Sequence, residues 1–463
     1  MVNWYKEHYL LINGLVITAL ILSLYSLFGP IAAFALLLLP FAGVLAVRIS
    51  TVFIILFILF SYFRIHEAFV FLMPLKIPKL LALASLLAIV WHLFISKTLK
   101  PHWSSTHLIF VIWFVWLTVC VFSASNRGVA IEYWSGVLVK VFIMVFVISW
   151  WLTRFSHFSY VRLGIMISGV TIALVALNNK INGVGLVEGT RVTISREYRS
   201  QLGDPNDLSL VLMFPVSFLA AELFNTYNNP YRRLFAGVGL ILAISGVIAT
   251  QSRGGLLGIA AILSFFLYQK VKNPVMVAAC GAVAMLAMMV FAGISDRQSG
   301  GAAESGVDES AMGRIYAWQA AINMALANPL TGVGVNNFFV NYYFYSPHWD
   351  GKNHAVHSTW FQVLGETGFV GICIFLLVIA SIYRSLSRVF CINKLNFNPE
   401  VTVNANALKA GLIGFMVAGT FLTQAFTWPL YIILSLTIAL EKLTIDSNKD
   451  SSYGDPTKVL AKK

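Results

Sequence analysis

Residues 352–371 read KNHAVHSTWFQVLGETGFVG, with two histidines three residues apart just ahead of a long apolar run. Ser358 and Thr359 are both suited to cap a helix that begins there. His357 would then stand at the positive end of that helix, which disfavours the imidazolium. A neutral imidazole in such a place can accept the proton of a hydroxyl, the work of a general base. The bland alternative is an interfacial histidine without chemistry. His354 is read as a positioning group for its neighbour.

Arginine is the second residue type that points to chemistry. TRVTISREYRSQLGDPNDL carries Arg191, Arg196 and Arg199, TQSRGG carries Arg253, and a later loop carries Arg297 and Arg314. A guanidinium is a fixed fork of donors that holds phosphate or carboxylate. At Arg253, Gly254 and Gly255 let a ligand approach the backbone, and the turn opens a helix whose N-terminus favours anions. Two other readings of Arg253 stay open, snorkelling to lipid headgroups and pairing with a nearby acid. The arginines of 191–199 can equally be solvated. Asp204-Pro205-Asn206-Asp207 is a turn followed by a helix start. Asp204 and Asp207 act there either as a helix cap at the membrane edge or to orient Arg199.

The elements that must hold these residues are membrane helices. Of 463 residues, 58% are apolar and 11% charged, against roughly 25% charged in a soluble domain. The apolar runs are long and do not alternate, which excludes a barrel, and backbone groups in lipid must be satisfied within each segment. Fourteen segments can be marked, at 8–27, 31–49, 51–73, 79–96, 106–124, 134–153, 159–177, 207–224, 234–250, 254–270, 274–294, 358–380, 407–426 and 428–442. Arg64, His66 and Glu67 interrupt the third, and the last two can form a re-entrant pair around Trp428–Pro429. The expected fold is therefore an all-α polytopic membrane protein of 12–14 transmembrane helices.

The net charge of +13 does not call for nucleic acid, because basic residues hold membrane topology from cytoplasmic loops. With the N-terminus inside, Lys6, Arg48, Lys97, Lys100, Arg154, Arg162, Arg232, Arg233, Lys270, Lys272, Arg384, Arg388 and Lys394 fall on one side. The start, MVNWYKEHYLLINGLVITAL, lacks a small-residue cleavage site, so a retained first helix is expected. The division is into helices 1–177, a loop 178–206, helices 207–294, a large loop 295–357, helices 358–442 and a cytoplasmic tail 443–463. In the large loop, Ile315, Trp318, Ile322 and Leu326 recur at helical spacing. They predict an amphipathic helix, lying on the membrane surface or lidding the bundle. Cys120, Cys280, Cys373 and Cys391 show no metal spacing and read as small apolar residues. Glu304, Asp308 and Glu309 lie in a Gly/Ala/Ser-rich stretch and make no compact metal cage. Gly365, Gly368 and Gly371 suit close helix packing, and GVGVNN follows no strand that would make it a dinucleotide loop.

Taken in order, an arginine before GDPNDL, then QSRGG, then AMGRIYAW, then HAVHSTWFQVLGETGFVG make a set that resembles the O-antigen ligase and polymerase superfamily of bacterial envelope enzymes. The resemblance spans roughly residues 190–380, and AMGRIYAW leans to its ligase-like branch, which includes O-glycosylation ligases. It implies a glycosyltransferase-C-like helical enzyme of the inner membrane, with a large periplasmic loop and the active site facing the periplasm. Such enzymes move a glycan from undecaprenyl pyrophosphate to an acceptor hydroxyl, with inversion and without a metal or other cofactor. The acceptor is lipid A-core for a ligase, another lipid-linked repeat for a polymerase, and a protein for an oligosaccharyltransferase. By the resemblance the essential histidine falls on His357, and the donor-binding arginines on Arg199 or Arg196 and on Arg253. Arg314, Arg191, His354 and Asp204 are supporting candidates. Ser358 stands where many members have asparagine. The rival class is a transporter of an anionic lipid or solute, with Arg64, His66, Glu67 and Lys140 lining a pathway.

Overall fold

The computed structural model describes residues 41–291 except 199, 226 and 228, and residues 309–453 except 350, with isolated positions from 18 to 38. The first expected segment, 8–27, therefore falls largely outside the described residues and the second, 31–49, is described mainly from residue 41 on, while Arg199 and Arg297 lie outside.

The protein is an all-α polytopic membrane protein. Its helices are α1 Ser50–Phe63, α2 Ile77–Ile95, α3 Ser105–Phe122, α4 Arg127–Trp151, α5 Phe155–Asn182, α6 Pro205–Phe224 and α7 Pro230–Thr250. They continue as α8 Arg253–Val271, α9 Pro274–Phe291, α10 Glu309–Ala327, α11 Phe338–Tyr345, α12 Thr359–Asn393, α13 Pro399–Ala418 and α14 Trp428–Tyr453. Among the described residues ten helices are long and apolar enough to cross a membrane. An eleventh span arises if α1 is joined to Phe41–Arg48 across an 88° bend.

Short polar signals start these helices. Asp204, Asn229 and Asn398 cap α6, α7 and α13, each followed by a proline at the first helical position, whose missing N–H costs nothing there. Ser252 caps α8 and Ser358 caps α12, so Thr359 lies inside the first turn.

Several expected boundaries move. α1 stops at Phe63 because Arg64 takes a left-handed backbone (φ +49°), and Glu67 follows on a four-residue helix, Ile65–Ala68. Helices α13 and α14 each reach a spanning length, with the irregular stretch 422–427 between them, so they are two spans rather than a re-entrant pair. α14 runs on to Tyr453, into the expected tail, and just before it Glu441 pairs with Arg388 and Lys442 with Asp446, both at 2.6 Å. α12 extends to Asn393 and takes Arg384 and Arg388 into the helix.

The connections fall into two sets at opposite ends of the bundle. At one end a charged knot joins four helices. Arg162 of α5 and Glu222 of α6 are both wholly buried and lie 2.9 Å apart. Arg162 also grips Glu400 of α13 through two bonds, at 2.9 and 3.1 Å, and Arg232 of α7 approaches Glu222 at 3.5 Å. The charges survive burial because each has an opposite partner. Cys120 is buried and the other three cysteines are exposed, all four unbonded.

At the other end α10 and α11 form a small cap with its own core of Ala317, Ala320, Ala321, Met324, Val333, Phe338, Tyr342 and Val356. α10 is the expected helix, but its buried stripe is not the expected one. Ile315, Ile322 and Leu326 are exposed, and the alanines and Met324 face inward. Small side chains win the inner face because α10 packs closely on α12, where a Cβ on Gly365 would sit 3.3 Å from the Cα of Ala321.

The glycines of α12 do more than pack helices. At Gly368 the helix breaks (φ +70°, ψ −171°), a conformation that favours glycine, and an added Cβ would collide with the carbonyl of Leu330. The loop 329–338 enters this break. Val333 and Gly334 donate to the carbonyls of Gly365 and Glu366, at 2.9 and 3.1 Å. The Glu366 carboxylate accepts from the amides of Asn336 (2.7 Å) and Phe338 (3.1 Å) at the start of α11. GVGVNN and GETG thus interlock, and the cap is fastened to the helix that His357 precedes.

Candidate functional site

The cap end of the bundle gathers the connections at 64–76, 123–126, 183–204, 251–252, 328–358 and 422–427. Asn206, in the first turn of α6, is a junction among them. Its Oδ1 accepts from Arg191 Nη2 at 3.0 Å and from Ser252 Oγ at 3.0 Å. Arg191 is buried and also donates through Nε to the carbonyl of Thr250 at 3.1 Å. It therefore ties the first long loop to the α7–α8 corner, and the solvated reading does not hold for it. That corner is two residues long, Gln251 and Ser252, with Gln251 left-handed (φ +52°).

Arg253 opens α8 directly after the corner. The neighbouring Gly254 approaches Phe421 so closely that an added Cβ would lie 3.0 Å from the Phe421 Cβ. On the other side, the Arg314 guanidinium of α10 stands 5.9 Å from the centre of the Phe421 ring. Trp318, one turn on from Arg314, stacks on Phe361 at 5.1 Å and 15°. The two arginines thus come from elements that both contact Phe421.

His357 sits at the residue before the α12 cap, half-buried, in a left-handed backbone (φ +46°). Burial pushes its pKa below the usual value, and the charge of Arg314 and the proximity of His354 push the same way, while Asp204 opposes them. The imidazole is therefore neutral near pH 7. The sequence position points to the helix terminus as the cause; in the structure desolvation leads. His354 rests edge-on against Tyr342 of the cap, with ring centres 5.3 Å apart. Asp204 uses Oδ1 to cap α6, accepting from the amides of Asn206 (2.7 Å) and Asp207 (3.2 Å). Asp204 thus fills the cap role expected of it, and its charge acts on His357; the other expected role, orienting Arg199, concerns a residue outside the described ones.

His354, His357, Arg314 and Asp204 share one electrostatic neighbourhood. Arg253 and Arg191 lie on its α8 side. Arg196 is exposed in the short helix Arg196–Tyr198, with Nη1 donating to the carbonyl of Gly203 at 3.2 Å. Among the described residues no group of three or more His, Cys, Asp and Glu side chains is placed to hold a metal ion. Glu304 and Asp308 lie outside them.

The stretch 419–427 was not singled out from the sequence. Thr359 Oγ1 donates to the carbonyl of Leu422 at 2.7 Å, and Gln362 Oε1 accepts from the amide of Ala425 at 3.1 Å. Gln424 Nε2 donates to Asp207 at 2.7 Å. These bonds lash the start of α12 to the start of α6. Three threonines and a glutamine in TFLTQAFT, inside an otherwise apolar region, are the available signal.

The residues flagged for transport take another place. Arg64, His66 and Glu67 lie beyond the end of α1, at the cap end, and Lys140 is exposed on α4.

Comparison with known proteins agrees with the resemblance seen in the motifs. Residues 238–376 match the family model described as O-antigen ligase. This region takes in α8, the cap and the first half of α12, and so Arg253, Arg314, His354 and His357. The chain is also 25% identical over 202 residues to the exopolysaccharide production protein ExoQ of Rhizobium meliloti (strain 1021). That alignment covers 40% of this chain and 44% of the relative, less than half of either.

Proposed function

We propose that this protein is a membrane glycosyltransferase of the O-antigen ligase and polymerase kind, moving a glycan from undecaprenyl pyrophosphate to an acceptor hydroxyl. The observation that carries this reading is the place of His357, half-buried at the residue before the α12 cap and within electrostatic reach of Arg314 and Asp204, inside the region that matches the family. His357 takes the proton of the acceptor hydroxyl as that oxygen bonds to the anomeric carbon. The bond from that carbon to the pyrophosphate oxygen breaks on the opposite face, so the configuration inverts. The leaving pyrophosphate gains charge, and Arg253 with Arg196 or Arg199 stabilises it, without a metal. Burial, helped by Arg314, keeps His357 neutral, Asp204 balances that charge, Arg191 holds the loop, and His354 helps orient the site. In this reading the site faces the periplasm from the inner membrane, and the ligase acceptor is lipid A-core.

A second reading, chain growth rather than ligation, is favoured by the relative's name, which speaks of exopolysaccharide production. One experiment separates the two. Purified protein receives the lipid-linked repeat unit alone or together with lipid A-core. Transfer only with lipid A-core supports a ligase, polymer from the donor alone supports a polymerase, and no transfer under any condition contradicts both. Activity that survives a chelator agrees with the metal-free scheme; recovery on adding Mg²⁺ or Mn²⁺ contradicts it.

A further inference from the structure

We infer that Glu67, far from the family-matched region in sequence, is a positioning residue that sets the arginine loop for the donor pyrophosphate. The inference rests on the proposed donor chemistry.

Glu67 is buried on the four-residue helix Ile65–Ala68, and donors engage both of its oxygens. Oε1 accepts from Arg64 Nε at 2.6 Å, with Arg64 Nη2 also in contact. Oε2 accepts from Ser200 Oγ at 2.6 Å and from the amide of Gln201 at 3.1 Å. Burial alone would raise the pKa of this carboxyl, but the bond and charge of Arg64 and the bond from Ser200 bring it below its usual value. It is therefore an anion at neutral pH. Arg64 reaches it by ending α1 in a left-handed turn, a conformation uncommon for a residue with a side chain.

The far side of this anchor is the arginine loop. Ile194 donates to the carbonyl of Leu202 at 2.9 Å, and Arg196 donates to that of Gly203 at 3.2 Å. The described residues 194–198 and 200–203 are thus bonded to one another, and fixing Ser200 and Gln201 fixes Ile194 and Arg196 with them. The piece leads straight into Asp204, whose amide donates to the carbonyl of Gln201 at 3.4 Å and whose charge acts on His357. A carboxylate suits this task because it is rigid and accepts several bonds at once, with Arg64 neutralising it. The lining of a transport path needs none of these contacts.

The test measures binding of undecaprenyl pyrophosphate to the purified chain in detergent, with donor KM and kcat measured alongside. Glu67→Gln should weaken binding about tenfold, the lower end of what one charge-assisted hydrogen bond is worth. It should raise donor KM with little change in kcat, and Glu67→Asp should restore part of the loss. Combined with Arg196→Ala, its effect should be smaller than the product of the two single effects, because both act through one loop. Ser200→Ala removes the same contact from the other side and should weaken binding in the same direction, which decides the matter if Glu67→Gln folds poorly. Unchanged binding in both variants, or fully multiplicative effects, would overturn the inference alone. Absence of undecaprenyl pyrophosphate binding in the unmodified chain would overturn the donor reading, and this inference with it.

Discussion

Replacing Asn206 by alanine tests whether the cap end is built as described. Its Oδ1 accepts from the Arg191 guanidinium and from the Ser252 hydroxyl, each at 3.0 Å. A bond to a charged group contributes about 1.5–3 kcal/mol and a neutral one about 1 kcal/mol. Arg191 keeps its bond to the Thr250 carbonyl at 3.1 Å, which recovers part of the loss. The net cost of Asn206→Ala should be about 2–3 kcal/mol. Equilibrium unfolding in mixed micelles measures it, beside donor KM, which should rise because Ser252 caps the helix that Arg253 opens. Asn206→Asp keeps an acceptor opposite Arg191 and should stay close to the unmodified protein. The double variant with Arg191→Ala should fall well short of additivity, since both changes remove one bond. A loss within about 0.5 kcal/mol, the range of an ordinary surface substitution, would refute the reasoning. So would strict additivity.

Two further outcomes follow from the same structure. His357 has a lowered pKa, so as a base it loses activity when the pH falls through a value below its usual 6.5. Arg314→Gln removes a cause of the lowering and should move that acid limb to higher pH. Asp204→Asn removes an opposing charge while keeping a good cap, and should move the limb lower; limbs that stay put would dissociate His357 from both. At the other end of the bundle, Arg162→Ala removes the partner of Glu400 and leaves the wholly buried Glu222 with Arg232 at 3.5 Å, and should destabilise the protein by about 3 kcal/mol, the lower end of what breaking a buried pair costs. Arg162→Lys should recover only part, because the lysine cannot hold Glu222 and both oxygens of Glu400 at once.

Much of the frame is legible in the sequence because lipid imposes it. Long apolar runs mark the spans, and the Asp-Pro and Ser signals at 204–205 and 358 mark where α6 and α12 begin, whereas α7 and α13 start at Asn-Pro pairs four and eight residues ahead of their apolar runs. The mouth of α12 is legible too, since Ser358 and the histidines form a local pattern. Contacts between segments distant in sequence are not legible. Nothing local says that Asn206 will accept from both Arg191 and Ser252, or that Glu67 will hold Ser200 across 133 positions. Hydrophobic periodicity also misleads where helices touch closely. In α10 the isoleucines draw attention, yet alanines make the contact and Ile315 and Ile322 stay exposed. The spacing of Gly365, Gly368 and Gly371 suggests helix packing, whereas the left-handed break at Gly368 admits a loop.

The central claim is that His357 moves the proton of the acceptor while the arginines hold the donor. Single-turnover glycan transfer by His357→Ala, with undecaprenyl pyrophosphate binding measured on the same preparation, tests it most directly. Transfer should slow by about 10²–10⁴-fold with donor binding retained. Transfer at the unmodified rate, with donor binding intact, would contradict it.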